Sequence, residues 1–381
     1  MSTYTSSMKK TCILTSAHPA LNIRPFYKEA ITLVKAGYDV TMIAQHNKNE
    51  VVDGVKIIAL PKSKNRFQRM FGITLKVFVF ALKQKTSLYH FHDPELIPIG
   101  LLLKFFTKAK VIYDVHEDFP QDILSKAWIP KIVRKPISIL FNWFEKLASR
   151  KIDYIFAATP FIKNNFKHCK VINIGNYPIM DDFNSQTLQK QNCIYGKNKH
   201  IVIYMGHLTR DRGIKEIIRG LGFISPKHRV RMKLLGDFSD RNFENEVKNL
   251  KEWEMVEYLG WVPQETIPGH LKEVDIGLAC LRPTSGYINS MATKIFEYMV
   301  TELPVIVSDF PLWKEIIEGN SCGICVNPLE PKEIAKAIEY LIEHPEEAKK
   351  MGSNGRRTVL EKYRWENEGK KMLKIYEELI E

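Results

Sequence analysis

The sequence predicts an α/β protein made of two doubly wound halves, and three observations carry that expectation. Short apolar runs of strand length alternate with amphipathic stretches of helical spacing along nearly the whole chain. The alternation breaks once, in a polar stretch near the middle. With 381 residues, the chain is long enough for two domains that each bury a core. Runs that are apolar at almost every position belong to strands covered on both faces, and their alternation with helices implies parallel sheets.

The first half contributes the runs "CILTSA", "DVTMIAQ", "VKIIAL", "LYHFHD", "KVIYDVHE", "YIFAAT" and "KVINIGN". Amphipathic segments lie between them, for example "PFYKEAITLVKAG", which closes on Gly37. "YPIMDDFNSQTLQKQNCIYGKNK" is polar and carries no period, so it reads as a linker. A second series follows: "IVIYMG", "RMKLLGD", "VEYLGW", "IGLACL", "PVIVSD" and "GICVN". Three helical stretches end the chain, the last being "RWENEGKKMLKIYEELI". The expected organisation is a first domain over 1–180, a linker over 181–199, a second domain over 200–360, and a terminal helix over 361–381 that packs back toward the first domain. Open sheets of this kind bind ligands beyond the carboxyl ends of their strands, so two facing halves are expected to enclose a cleft.

Composition is that of a soluble globular chain, 45% hydrophobic and 26% charged. The charge balance is unusual: 56 Lys+Arg against 43 Asp+Glu leave +13. Such an excess suits an anionic partner, which could be nucleic acid, an anionic membrane surface or a phosphate-bearing ligand. Nucleic acid is the poorest fit, because no nucleic-acid module is present and the charge is spread over both halves. No apolar run approaches the roughly 18 residues of a spanning helix, and "MSTYTSSMKKTCILTSAHP" lacks the apolar core of a signal peptide. The protein is therefore expected in the cytoplasm, and six scattered cysteines agree with a reducing compartment. Cys322 and Cys325 form a lone "CGIC" inside a strand-like run, read as core rather than as a zinc or redox pair.

Two stretches carry the chemistry of the second half. In "YMGHLTRDRGIKEII" a strand ends at Gly206, and Arg210 and Arg212 occupy the turn before a helix. Helix N-termini and guanidinium forks both suit phosphate oxygens, so the functional reading is a diphosphate clamp. The bland alternative is a solvated basic turn paired with Asp211. In "NSMATKIFEYMVTELPVIVSD", Thr293 and Lys294 open a helix and Glu297 shares their face. That start can hold phosphate, and a carboxylate one turn on can accept from two adjacent ribose hydroxyls; the alternative is an ordinary surface glutamate. In the first half, His92 and Asp93 end a strand and can line the cleft, while His90 and His92, either side of Phe91, are expected on opposite faces and so unable to chelate one metal together. "DVHED", which contains His116, is compact and acidic but offers no convergent ligand set, and no metal site is expected.

These elements, in this order, resemble the retaining nucleotide-sugar glycosyltransferases of family 4, which have the GT-B fold. "YMGHLTRDRGIKEII", "VEYLGWVPQETIPGHLKEVDIGLACLRP" and "ATKIFEYMVTELPVIVSDFPLWKEIIEGNSCGICVNP" resemble successive blocks of the family's donor domain. "HFHDPELIPIG" and "VIYDVHEDFPQDILSK" resemble a sugar-polymer subgroup, so the likeness covers nearly the whole chain.

The resemblance implies roles by position. Gly206, His207, Arg210 and Arg212 would form the basic turn at the donor diphosphate, with Arg212 acting in catalysis. The amides of Thr293 and Lys294 would face the phosphates, Glu297 would bind the ribose, and Trp261 and Val262 would meet the nucleobase. His116 stands where the family places a histidine near the transferred sugar. Three departures accompany the match. His207 follows the first glycine where the family often has arginine, and Arg210 is expected to compensate from the same turn. Asn289 takes the place of the first glutamate of Glu-x7-Glu, keeping hydrogen bonding to the sugar but losing charge. "SAHPALNIRPF" replaces a glycine-rich loop after the first strand and offers Arg24 as a polar contact beside His92 and Asp93 on the acceptor side.

The implied reaction is transfer of a hexosyl or N-acetylhexosaminyl group from a nucleoside-diphosphate sugar to an acceptor hydroxyl, with retention and without a cofactor. The acceptor expected is a lipid-linked or growing surface glycan. The chain has no Asp-x-Asp, which agrees with arginines serving in place of a cation. A nucleotide-sugar epimerase or hydrolase on the same scaffold would need convergent carboxylates, for which only Glu117 and Asp118 stand out. A non-catalytic binding subunit is the third reading. The mixed basic and apolar stretches 64–85 and 126–151 suit either an anionic membrane surface or an ordinary core with a solvated basic face.

Overall fold

The computed structural model describes residues 9–126, 128–183 and 199–381. The chain divides into two compact units, one formed by the residues up to Asn176 together with Trp365–Glu381, the other by Tyr177–Arg364. The first boundary thus falls at Asn176, ahead of position 180, and the terminal helix starts at Trp365. Of the linker expected over 181–199, residues 184–198 lie outside the described residues. Tyr177 and Phe183, at the start of that polar stretch, are not linker at all. Both are buried core of the second unit, where the Tyr177 ring meets those of Phe296 and Tyr363.

The first unit is built on eight strands: β1 Lys10–Pro19, β2 Asp39–Gln45, β3 Glu50–Val52, β4 Val55–Leu60, β5 Leu88–Phe91, β6 Lys110–Val115, β7 Tyr154–Ala157 and β8 Val171–Asn173. Their order across the sheet is β3-β4-β2-β1-β5-β6-β7-β8. Every pairing is parallel except β3 with β4, a hairpin turned by Asp53 and Gly54, both at positive φ. The centre reads as strands covered on both faces should: Cys12, Ile13, Leu14, Tyr89, Phe91, Val111 and Ile112 are fully buried. The chain leaves β1 in one direction toward β2 and returns on its other side at β5, so the order reverses between β1 and β5.

The terminal helix Trp365–Ile380 completes this unit. It buries Trp365, Met372 and Tyr376, each contributing about 2 kcal/mol by area. Trp365 Nε1 donates to Thr32 Oγ1 at 2.9 Å, and Glu368 Oε2 accepts from the Gly175 amide at 2.8 Å. These bonds give the two buried polar groups partners.

The helix Lys131–Ser149 is amphipathic in the reverse sense. Its buried positions are Ser138, Glu145, Ala148 and Ser149, whereas Ile132 is 87% and Leu140 66% exposed, and Ile139 and Trp143 also face outward. The helix Thr74–Leu82 buries Thr74, Val77 and Ala81, while Phe67 and Phe71 just ahead of it are exposed. Arg66 stacks on the exposed Trp128 ring at 4.7 Å, joining the two basic-apolar stretches. Among the described residues no helix is long and apolar enough to cross a membrane.

The second unit carries β9 Lys199–Met205, β10 Arg229–Leu235, β11 Val256–Gly260, β12 Ile276–Ala279, β13 Val305–Ser308 and β14 Gly323–Val326, ordered β11-β10-β9-β12-β13-β14 and parallel throughout. Its reversal lies between β9 and β12. Helices cover both faces; Ile214–Leu221, for instance, buries Ile214, Ile217, Ile218 and Leu221 at i, i+3, i+4 and i+7. Cys322 is fully buried and Cys325 packs half-buried against the same core, and both are free thiols.

One buried carboxyl gives the fold a pH dependence. Glu145 accepts from the Tyr113 hydroxyl at 2.9 Å, and burial pushes its pKa from 4.5 up to about 7, against the pull of that hydrogen bond. A carboxyl raised in the folded state stabilises fully below its unfolded pKa, and the contribution is lost as pH rises through the folded value. Urea denaturation should therefore show the wild type losing about 2–3 kcal/mol between about pH 4.5 and 7.5 relative to Glu145→Gln. Parallel pH profiles for the two proteins would contradict the burial account.

Candidate active site

In the second unit the site forms where the strand order reverses, beyond the carboxyl ends of β9 and β12. β9 ends at Gly206 (φ +118°), and a Cβ there would lie 3.1 Å from Lys294 Nζ, so glycine lets the ammonium approach the backbone. After exposed His207, the chain turns through Arg210–Arg212 to Gly213 (φ +70°). A Cβ at Gly213 would fall 1.9 Å from the Cys280 carbonyl oxygen, and the Arg282 amide donates to Asp211 O at 3.0 Å. The segment after β12 therefore braces the basic turn directly.

That bracing separates the two arginines. The Arg212 guanidinium lies over the Tyr287 ring, 4.9 Å from its centroid. Arg210 points elsewhere: its Nη1 is 2.6 Å from Glu246 Oε2 and it stacks on Phe243, both on the helix Arg241–Lys248. The compensation expected of Arg210 for His207 is not what the structure shows, because its guanidinium pairs with Glu246, which Lys215 also holds.

Lys294 holds the least ordinary position. It opens the helix Thr293–Val300 as its second residue and is buried, with Nζ 3.7 Å from the Tyr204 ring centroid and no hydrogen-bond partner. Burial first, then the Arg212 charge, hold its pKa well below the ordinary lysine value, with Glu297 pulling weakly the other way. A buried ammonium without a partner is unfavourable by several kcal/mol. Tyr298, on the same helix, accepts from the Met205 amide at 3.1 Å and ties the helix to the end of β9.

The other residues of the donor reading are distributed around this point. Thr293 starts the helix and half-buried Glu297 lies one turn further along. Gly260 (φ +67°) accepts from the Gly236 amide at 2.7 Å and turns the chain into Trp261, 69% exposed, and half-buried Val262. Asn289 ends the short helix Ser285–Ile288, beyond the stacked Tyr287. Sequence reading missed Tyr204 and Tyr287, the aromatic rings that seat the two cations; Tyr204 lies two residues before Gly206 on the strand.

In the first unit the residues expected on the acceptor side are largely engaged with one another. Arg24 is 2% exposed. Its Nη2 donates to both oxygens of Asp114 at 2.9 and 2.8 Å, its Nε to Glu29 Oε1 at 3.0 Å, and its Nη1 to Ile174 O at 3.0 Å. Asp93 Oδ2 accepts from Thr15 Oγ1, the Ser16 amide and the Ala17 amide at 2.7, 2.6 and 3.1 Å, pinning the irregular end of β1. Burial would raise its pKa, but His18 and these donors hold it below the ordinary value. Arg24 and Asp93 thus brace the unit's interior rather than offering surface contacts.

The histidines need a second correction. Side chains alternate along a strand, so residues two apart share a face. His90 and His92 accordingly stack, with centroids 4.9 Å apart, instead of pointing to opposite faces. His92 Nδ1 lies 3.1 Å from His116 Nε2, which is 3.4 Å from Asp114 Oδ1. Burial pushes His92 down to about 4 and lowers His116, against the pull of Asp114 on both. Both rings are neutral at pH 7, and His116, 28% exposed at its side chain, is the outer edge of the group.

Comparison with known proteins matches each half. The family model for glycosyl transferases group 1 covers residues 185–358, and that for Glycosyltransferase Family 4 covers 27–174. The chain is a GT-B glycosyltransferase. Spore coat protein SA of Bacillus subtilis is 24% identical over 97% of the glycosyltransferase and 99% of its own length. Among solved structures, sucrose-phosphate synthase from Thermosynechococcus elongatus superposes with a TM-score of 0.75 at 17% identity, over 97% of this chain and 99% of the other. Anabaena HepE in complex with UDP and glucose gives 0.72 at 15% identity, over 97% and 100%.

If Lys294 is held for a ligand, it weakens the free protein. Lys294→Met keeps the volume and removes the unpaired charge, and should stabilise the ligand-free glycosyltransferase by about 1–3 kcal/mol in urea denaturation. A variant less stable than the wild type would mean that the ammonium already has a structural partner.

Proposed function

We propose that this glycosyltransferase moves a hexosyl or N-acetylhexosaminyl group from a nucleoside-diphosphate sugar to the hydroxyl of a lipid-linked or growing surface glycan, with retention. The bond from the anomeric carbon to the diphosphate breaks, the acceptor oxygen takes its place on that carbon, and the acceptor's proton passes to the departing diphosphate oxygen. The observation that carries the donor assignment is the buried, hydrogen-bond-free ammonium of Lys294 next to Arg212. Fixed cations that need no reorganisation stabilise a leaving diphosphate most where water is excluded. In this proposal they act in place of a divalent ion, and the reaction needs no metal at the phosphates. Glu297 holds the ribose, the chain at Trp261 and Val262 meets the base, Asn289 contacts the sugar, and His116 stands near the transferred sugar. HepE, which shares the fold, has been solved with UDP and glucose, and that supports a donor of the same class here.

Asn289 favours a second reading, a subunit that binds donor without turning it over, because the resembling family has glutamate there. A thermal-shift panel of UDP, GDP, ADP, CDP and their sugars, with and without EDTA, tests the donor assignment. One nucleotide should raise Tm selectively and still do so in EDTA, and the shift should vanish in Glu297→Ala. Arg212→Ala should lower kcat by about 100-fold or more. Binding with no detectable transfer by the wild type would support the second reading, and no shift with any nucleotide would remove the donor site.

The apolar side of Lys131–Ser149 bears on the acceptor. Ile132, Ile139, Leu140 and Trp143 face outward beside Lys131, Arg134, Lys135 and Lys146. We assign this face to an anionic membrane surface, where a lipid-linked acceptor resides. Co-sedimentation with phosphatidylglycerol vesicles should fall at least tenfold in Leu140→Glu/Trp143→Glu while nucleotide binding is retained. Equal sedimentation of the wild type with neutral vesicles, or none with anionic ones, would contradict the assignment.

A further inference from the structure

Beside the half-buried His116, the first unit contains a group of side chains that the proposed transfer does not use. We propose that Glu29, His90, His92 and Asp114 form a buried site for one divalent metal ion of the zinc class. One ligand atom from each lies within 4.8 Å of the others, and all four residues are at most 5% exposed.

The unpaired atoms support this arrangement. Glu29 Oε2, His90 Nε2 and His92 Nε2 are buried without hydrogen bonds. Glu29 Oε2 and His92 Nε2 lie 3.2 Å apart. Asp114 Oδ2, 3.7 Å from His90 Nε2, supplies the fourth position. Tetrahedral zinc needs ligand atoms about 3.3 Å apart, against separations here of 3.2 Å, 3.7 Å and at most 4.8 Å, so the ligands would close by up to about 1.5 Å on the ion. Two imidazoles with two carboxylates and no thiolate suit zinc, and the nitrogen share argues against calcium or magnesium.

The opposite edge of each ring is already held. His90 Nδ1 is 2.7 Å from the Tyr376 hydroxyl, and His92 Nδ1 is 3.1 Å from His116 Nε2. Metal-bound histidines fix their tautomer through the second nitrogen in this manner. Arg24 holds the carboxylates, bonding Glu29 Oε1 and both oxygens of Asp114, and leaves Glu29 Oε2 without a hydrogen bond. The ligands come from the helix that starts at Ile23, from β5 and its end, and from β6, so an ion would pin the reversal point of this sheet. His92 would then donate its Nδ1 proton to His116, fixing the proton of His116 on its own Nδ1.

The test uses the full chain, dialysed against a chelator and titrated with cobalt(II), with metal content measured by mass spectrometry. About one equivalent should bind, with the visible absorption of tetrahedral cobalt, and zinc should displace it. Glu29→Gln and His92→Gln should abolish the visible bands, whereas Glu297→Ala in the other unit should keep them. Tyr376→Phe, which leaves the core volume intact, should weaken cobalt binding about tenfold, and it decides the matter if the ligand variants do not fold. Absence of visible bands in the wild type would overturn the proposal, as would bands that persist in a folded His92→Gln or unchanged affinity in Tyr376→Phe.

Discussion

In each unit a parallel sheet reverses its chain order beside its first strand, and the chemistry depends on that constraint. At such a reversal the segments leaving β9 and β12, like those leaving β1 and β5, diverge to opposite faces. Side chains brought there are held by backbone geometry rather than by long loops. Gly206 and Gly213 exist because of this: one admits an ammonium to the end of a strand, the other lets a basic turn rest on the carbonyl of Cys280. The position of Arg212 over Tyr287 follows from the second contact.

The two units treat buried charge in opposite ways. In the first, Arg24 bonds Asp114, Glu29 and the Ile174 carbonyl, so its burial is compensated within the unit. In the second, Lys294 is buried and left without a hydrogen-bond partner. The difference separates scaffold from site. An interior charge with partners orders what surrounds it, whereas one without them remains at a cost in stability that a ligand removes.

Much of the fold was legible because its signal is periodic. Short apolar runs and amphipathic segments located the strands and the helices, and the basic turn and the helix at Thr293 were found from residue type and spacing. Other features depend on partners that no local pattern reveals. Arg24 resembled a surface contact until Asp114, ninety residues on, was placed against it. Arg210 and Arg212 are two residues apart and equivalent on paper; only the tertiary positions of Glu246 and Tyr287 distinguish them. The polar stretch after Asn176 concealed Tyr177 and Phe183, because two buried rings among polar neighbours carry no period. The hairpin at Asp53-Gly54 and the shared face of His90 and His92 were readable from simple rules, the first from an Asp-Gly turn and the second from the two-residue repeat of a strand.

The central claim is that a buried, depressed-pKa lysine beside Arg212 receives the donor diphosphate. Calorimetry of nucleoside-diphosphate binding in buffers of different ionisation enthalpy tests this most directly. Phosphate next to Lys294 must raise its pKa, so binding should take up protons, and the uptake should be absent in Lys294→Met. Binding with no proton uptake at any pH at which the protein is folded, or the same uptake in the variant, would place the diphosphate elsewhere and contradict the account.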